Sequence, residues 1–179
     1  SSSIPKSSES FVWKDTHWKK IELRLNILQN KIYAAKKDQN IRKVRKLQRL
    51  ILNSYDFKKL AVQKVMQLNR GKKTAGVDGI SNLNEKQRVW LVDNLRITGK
   101  AHPVRRVMIP KPKGGHRPLG IPTMYDRALQ ALFVMALEPE FEAIFEENSY
   151  GFRPGRSPID AMKQIQLCLQ QADRFILDA

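Results

Sequence analysis

"HPVRRVMIPKPKGGHRPLGIP", residues 102–122, is the stretch on which the reading of the fold turns. Val104 to Ile109 is an extended run, and a second short strand follows at about Arg117 to Ile121. Pro112, Gly114 and Gly115 supply a tight turn between them, so the two runs read as an antiparallel hairpin. Prolines at 103, 110, 112, 118 and 122 keep the flanks extended and mark the strands as edges. Lys111 and Arg117 lie on opposite arms of the turn, so both cationic ends can converge on one side. Arg105 and Arg106 alternate in direction, so at most one of them joins. Such a cluster, with no acid beside it, suits a triphosphate or a nucleic-acid backbone, and equally a solvated hairpin tip.

Helical periodicity surrounds the hairpin. From Asp15 to Lys37 the apolar residues Trp18, Ile21, Leu25, Leu28, Ile32 and Ala35 recur at steps of three and four, with Asp15 or Thr16 able to cap the start. A second helix is predicted from about Ile41 to Tyr55, with Ile41, Val44, Leu47 and Ile51 inward. Arg42, Lys43, Arg45, Lys46 and Arg49 are left outward. A third runs from about Phe57 to Leu68 on Leu60, Val65 and Leu68, and a fourth from about Asn84 to Leu95. Beyond the hairpin, Thr123 with Asp126 resembles a capping box opening a helix from Tyr125 to Leu137, expected to be the most buried. Pro139 is read as opening a further acidic turn or helix through Phe145. The run of Glu138, Glu140, Glu142, Glu146 and Glu147 reads as an exposed face. Ser157 and Pro158 cap and open a last helix, whose buried face is expected at Ile159, Met162, Ile165 and Leu169. Phe175 to Leu177 is a short apolar strand ending at Asp178. The pattern is α+β and helix-rich.

The charge is uneven. Residues 14–73 hold 18 lysines and arginines against 4 aspartates and glutamates, and residues 100–120 hold 6 against none, within a chain of net charge +16. Basic charge concentrated in this way favours a polyanion, above all nucleic acid. The helices lack the large exposed aromatics of a membrane-surface anchor, and no apolar run has the length of a membrane span. Cys168 is the single cysteine, which rules out an internal disulfide and argues against a cysteine-based zinc site. His17, His102 and His116 are scattered without metal-ligand spacing.

Two loops complete the candidates. "NRGKKTAGVDGI", residues 69–80, is glycine-rich and basic but lacks the lysine-serine ending of a P-loop. In "GFRPGRS", residues 151–157, Arg153, Arg156 and the backbone near Gly155 precede a helix N-terminus, an arrangement that favours phosphate. Tyr150 and Phe152 could stack on a base or instead fill the core.

These segments resemble, in order, blocks of the group II intron reverse transcriptases, also called intron maturases. "TAGVDGI" is similar to the family's N-terminal block, "IPKPKGGHRPLGIPTMYDRALQ" to its first fingers block and "NSYGFRPGRSPIDA" to its second. The resemblance implies reverse-transcriptase fingers, in which Lys111 and Arg117 contact the phosphates of an incoming dNTP. It implies that Thr74, Ala75, Gly76, Val77, Asp78 and Gly79 cover the template and primer. Arg153, Gly155 and Arg156 would then lie along the template path, and Arg42, Lys43, Arg45, Lys46, Arg49, Lys72 and Lys73 would bind intron RNA. The chain divides accordingly into a disordered tail or expression remnant (1–13), a basic helical extension with the covering loop (14–80), the fingers (81–172) and a first palm strand (173–179). "RFILDA", residues 174–179, resembles the start of the third block, in which the Mg2+-binding aspartate comes two positions after Asp178. The implied whole protein is an RNA-directed DNA polymerase that assists splicing and retrohoming of its intron. Its partners are intron RNA, an RNA template with DNA primer, and dNTP; its compartment is a bacterial cytoplasm or an organelle matrix, and the reading admits a homodimer. This stretch alone is expected to bind RNA without polymerising. A maturase that only assists splicing, and an RNA-binding module with a fingers fold, are the alternatives.

Overall fold

The computed structural model describes residue 13, residues 16–68 and residues 70–171. Six helices and one hairpin follow in the order α1 (Trp18–Lys37), α2 (Ile41–Asn53), α3 (Tyr55–Gln63), α4 (Glu85–Asn94), β1 (Arg105–Pro110), β2 (His116–Ile121), α5 (Met124–Glu142) and α6 (Pro158–Gln171). The fold is helix-rich α+β, as the periodicity predicts. The core is built where α1, α2 and α3 close around α5, with α4 packed on α3. Ile32, Val44, Ile51, Phe57, Leu60 and Leu132 are all buried there.

Local chemistry explains the joints. Between α1 and α2 the chain reverses at Gln39, in the left-handed region (φ 54). The Asn40 N–H donates to Ala35 (2.8 Å) and the Gln39 N–H to Lys36 (3.0 Å), closing the exposed carbonyls of α1. The Asn40 side chain then accepts from the Lys43 N–H (3.0 Å) and starts α2. Asn84 and Gln87 form a reciprocal capping box at the head of α4. Thr123 caps α5 by accepting from the Asp126 N–H (3.2 Å), and its hydroxyl donates to the Asp126 carboxylate (2.8 Å). Ser157 and Asp160 repeat this at the head of α6.

Several expectations need correction. α1 starts at Trp18 behind its N-cap residue His17, not behind Thr16, and Asp15 lies outside the described residues. Trp13, assigned to the tail, is buried and lies 5.1 Å from the Trp18 ring, which extends the apolar stripe of α1 backwards. Ile41 is exposed because it sits at the first turn of α2, before that helix meets its neighbours. The third helix changes to a wider π-turn over Lys64–Leu68, which rotates Leu68 out to solvent. Pro139 does not open a new helix; it lies inside α5. Proline has no N–H for the carbonyl four residues back. That carbonyl, Met135 O, instead accepts from Gln29 Nε2 of α1 at 3.0 Å, so a tertiary contact replaces the missing helical bond.

Glu140 is buried, not part of an exposed acidic face. Lys36 Nζ donates to one oxygen (3.1 Å) and Gln48 Nε2 to the other (2.6 Å), tying α1 and α2 to α5. The expected buried face of α6 is open: Ile159, Met162, Ile165 and Leu169 are each about half or more exposed. The strand expected at Phe175–Leu177, and Asp178 with it, lie outside the described residues.

Candidate nucleic-acid interface

β1 and β2 pair antiparallel with Ile109 opposite Arg117 and Pro110 opposite His116. Gly114 (φ 89) and Gly115 (φ 78) make the turn, a backbone that side-chain-bearing residues seldom adopt. The Lys111 N–H donates to Gly115 (3.0 Å) and the Gly114 N–H to Lys111 (3.1 Å). All of residues 110–120 are exposed, and the two strands pack mainly on each other. Lys111, Lys113 and Arg117 make no ion pair among the described residues. Alternation puts Arg105 on the Arg117 face and Arg106 on the other. Arg105 sits four residues down the strand from the partner of Arg117, roughly 13 Å away. The tip cluster is therefore Lys111, Arg117 and their neighbour Lys113, without either strand-base arginine.

The loop Thr74–Gly79, expected to cover template and primer, is attached to the root of this hairpin. After a 3-10 turn over Arg70–Lys73, the backbone of Thr74–Gly79 runs past Pro122 and Thr123. A Cβ added at Gly76 would lie 2.8 Å from both Pro122 O and Thr123 Cα, so only glycine fits this approach. Asp78 Oδ1 accepts from the Ile80 N–H (3.2 Å), closing the turn, and Val77 projects to solvent. Arg127, on the first turns of α5, binds three backbone carbonyls at once, one at the hairpin root and two in the 70–79 loop. Its Nε donates to Pro122 O (3.1 Å), Nη1 to Gly71 O (3.0 Å) and Nη2 to Thr74 O (2.8 Å). Arg127 does not figure in the sequence reading. Its signal was there: it is the one basic residue among six acids in residues 121–150.

The second arginine loop divides differently from expectation. Arg153 is buried, with its guanidinium on both Glu142 oxygens and its Nη1 donating to the carbonyls of Glu146 and Ser149 (2.7 Å each). Its Glu142 bonds hold that carboxyl below its ordinary range. Arg153 also lies 5.2 Å from the Phe145 ring centre. Four of its five N–H donors are thus used within the fold, and the side chain is buried, so it is poorly placed to reach a template. Arg156 is exposed over Tyr150 (5.5 Å), and Gly155 (φ 66) is exposed beside it. Phe152 does not fill the core; it is wholly exposed with φ 58. From Arg127 to Glu142 along α5 is roughly 22 Å, so this loop and the covering loop occupy opposite ends of one helix.

On α2, Arg42, Lys43, Arg45, Lys46 and Arg49 are all exposed, as expected. Arg45 is partly engaged, bonding Gln48 (3.3 Å) and lying 3.9 Å from Glu140. Lys73 is exposed, and the side chain of Lys72 lies outside what is described. No group of three or more His, Cys, Asp or Glu among the described residues is placed to hold a metal ion. No helix among them is long and apolar enough to cross a membrane.

Two known families match the chain in tandem. One, described as the N-terminal domain of reverse transcriptase, matches residues 13–95. The other, described as reverse transcriptase (RNA-dependent DNA polymerase), matches residues 109–177. Among curated relatives, protein YkfC of Escherichia coli (strain K12) is 38% identical over 121 residues, 62% of this chain and 32% of that protein. The group II intron-encoded protein LtrA of Lactococcus lactis subsp. cremoris is 37% identical over 102 residues, 55% of this chain and 17% of its own length. Maturase-like protein 1 of Euglena gracilis is 30% identical over 148 residues, 81% and 31% respectively. The chain thus spans less than a third of each of these relatives.

Proposed function

The chain belongs to the reverse-transcriptase family and corresponds to the N-terminal part of its group II intron-encoded members, and on that premise we propose that the whole protein is an RNA-directed DNA polymerase that binds its intron RNA and assists its splicing and retrohoming. Its working compartment is the bacterial cytoplasm or organelle matrix that holds the intron. This stretch supplies phosphate positioning, the cover over template and primer, and intron-RNA affinity. It extends no primer by itself. The metal-assisted chemistry is assigned to Mg2+-binding palm carboxylates of the whole protein, on the resemblance of residues 174–179 to the start of the family's third block.

One observation supports the nucleotide role above the rest. The hairpin tip presents Lys111 and Arg117 exposed and, among the described residues, outside any ion pair, on a turn whose root is joined to the covering loop through Arg127 and Gly76. A triphosphate held at the tip would therefore sit on the element that also carries the cover. Each cation is free to make charge-assisted bonds to phosphate oxygens. Lys111→Ala or Arg117→Ala in the full-length protein should raise the apparent KM for dNTP about 10- to 100-fold, the loss of one to two such bonds. Thermal stability should not change, because both side chains stand in solvent. Unchanged nucleotide affinity in an active enzyme would reject the clamp.

A further inference from the structure

A groove of about 870 Å3 lies between α1 and α2, within the size range of ligand clefts. Arg42, Lys46 and Arg49 recur on α2 at steps of four and three, which is one helix face, and all three line it. None of the three has a carboxylate partner among the described residues. The fourth lining cation, Arg24, is already held by Asp56 at 2.7 Å and lies 6.0 Å from the Phe57 ring centre. Between the cations the wall is apolar. Ile27 and Leu50 line the groove at about half exposure, and Phe57 closes its floor.

We propose that this groove is a site for one unpaired nucleotide of RNA, its base lying against Ile27 and Leu50 and its flanking phosphates on Arg42, Lys46 and Arg49. The proposal rests on the RNA-binding reading above and locates where on α2 that binding discriminates. Charge alone would accept any polyanion. The apolar wall is what separates them: a duplex offers phosphates and sugar edges but no free base face, whereas an unstacked base can use such a surface. An acidic peptide would match the charge, yet its carboxylate side chains have no use for the apolar wall. The same geometry divides the five outward cations of α2. Arg42, Lys46 and Arg49 face the groove, while Lys43 and Arg45 do not line it, and Arg45 leans toward Gln48 and Glu140.

The test measures binding of the 179-residue chain to a short unstructured single-stranded RNA and to a fully paired duplex of equal length, across a salt series. Leu50→Ser should weaken single-strand binding roughly tenfold, the worth of a modest base contact, and leave duplex binding unchanged. Ile27→Ser should do the same and serves if the first variant does not fold. The triple variant Arg42→Ala/Lys46→Ala/Arg49→Ala should reduce the slope of log affinity against log salt by about 2 on the single strand, and Lys43→Ala by less than 1. Equal losses on both RNAs, or none from either serine variant, overturn the groove while RNA binding by the chain stands. An oligoglutamate peptide that outcompetes the single strand also overturns it. If the unsubstituted chain binds neither RNA, the underlying reading falls along with the groove.

Discussion

Glu140 is an acid in a helical core, and two other helices bond its two oxygens. Burial pushes its carboxyl up, but the Gln48 and Lys36 hydrogen bonds and the charges of Lys36 and Arg45 outweigh that, and the net shift is downward from 4.5. A carboxyl whose folded value lies below its unfolded one contributes stability above the unfolded value and loses it as pH falls through the folded one. Urea unfolding should therefore show this contribution in full above pH about 4.5 and declining below it. Glu140→Gln should cost about 1–3 kcal/mol at neutral pH, because Lys36 is left facing a neutral amide, and should flatten the acid side of the profile. A profile unchanged by the substitution would contradict this account. At this scale the sequence misleads: Glu140 sits among five glutamates with the spacing of a wet face. Its partners, 104 and 92 residues earlier, are brought to it only by packing. Arg153 was legible as a special residue, but its chemistry was not. Its partners are the Glu142 carboxylate at the end of α5 and the carbonyls of the loop it folds, where spacing alone allowed an anion from outside.

At the scale of the element, α5 shows how a helix tolerates a proline. Gln29 supplies from α1 the donor that Pro139 lacks, and so joins two elements at one carbonyl. Gln29→Ala should cost about 1–3 kcal/mol, since Met135 O is left without a partner in a partly buried place. In a Pro139→Ala background the restored N–H can take that carbonyl, and the same substitution should be close to neutral. A double-mutant cycle measures the difference, and additive effects would rule out the compensation. The hairpin shows the opposite balance. Its turn residues and flanking prolines settle it locally, which is why strands read at 104–109 and 117–121 appear at Arg105–Pro110 and His116–Ile121. Its connection to the covering loop is not local. Gly76 meets Pro122 and Thr123 where Arg127 ties the loop to the hairpin root through three carbonyls, and no periodicity announces a side chain bonded to carbonyls.

For the whole molecule the governing quantity is charge. A net +16, with Lys111, Lys113 and Arg117 at the tip and Arg42, Lys46 and Arg49 in the groove outside any ion pair among the described residues, predicts RNA binding that is strong in low salt. If six to eight phosphates are contacted, affinity should fall on the order of 10³-fold between 50 and 200 mM salt. A shallow salt dependence, measured by anisotropy on the chain, would count against a phosphate-tracking surface. The sequence by itself determined the helix-rich class, the hairpin with its cationic tip, the helix caps at Thr123 and Ser157, and the family. Each of these is written in residues within a few positions of one another, where propensity, turn chemistry and spacing act directly. Only the tertiary structure decided that Glu140 is core, that Arg153 is held by Glu142 and its own loop and that Arg127 ties the 70–79 loop to the hairpin. It likewise decided that three of the α2 cations face a groove. Those outcomes depend on which helix faces meet, and burial, not spacing, determines whether a charge is left for solvent or held by the fold.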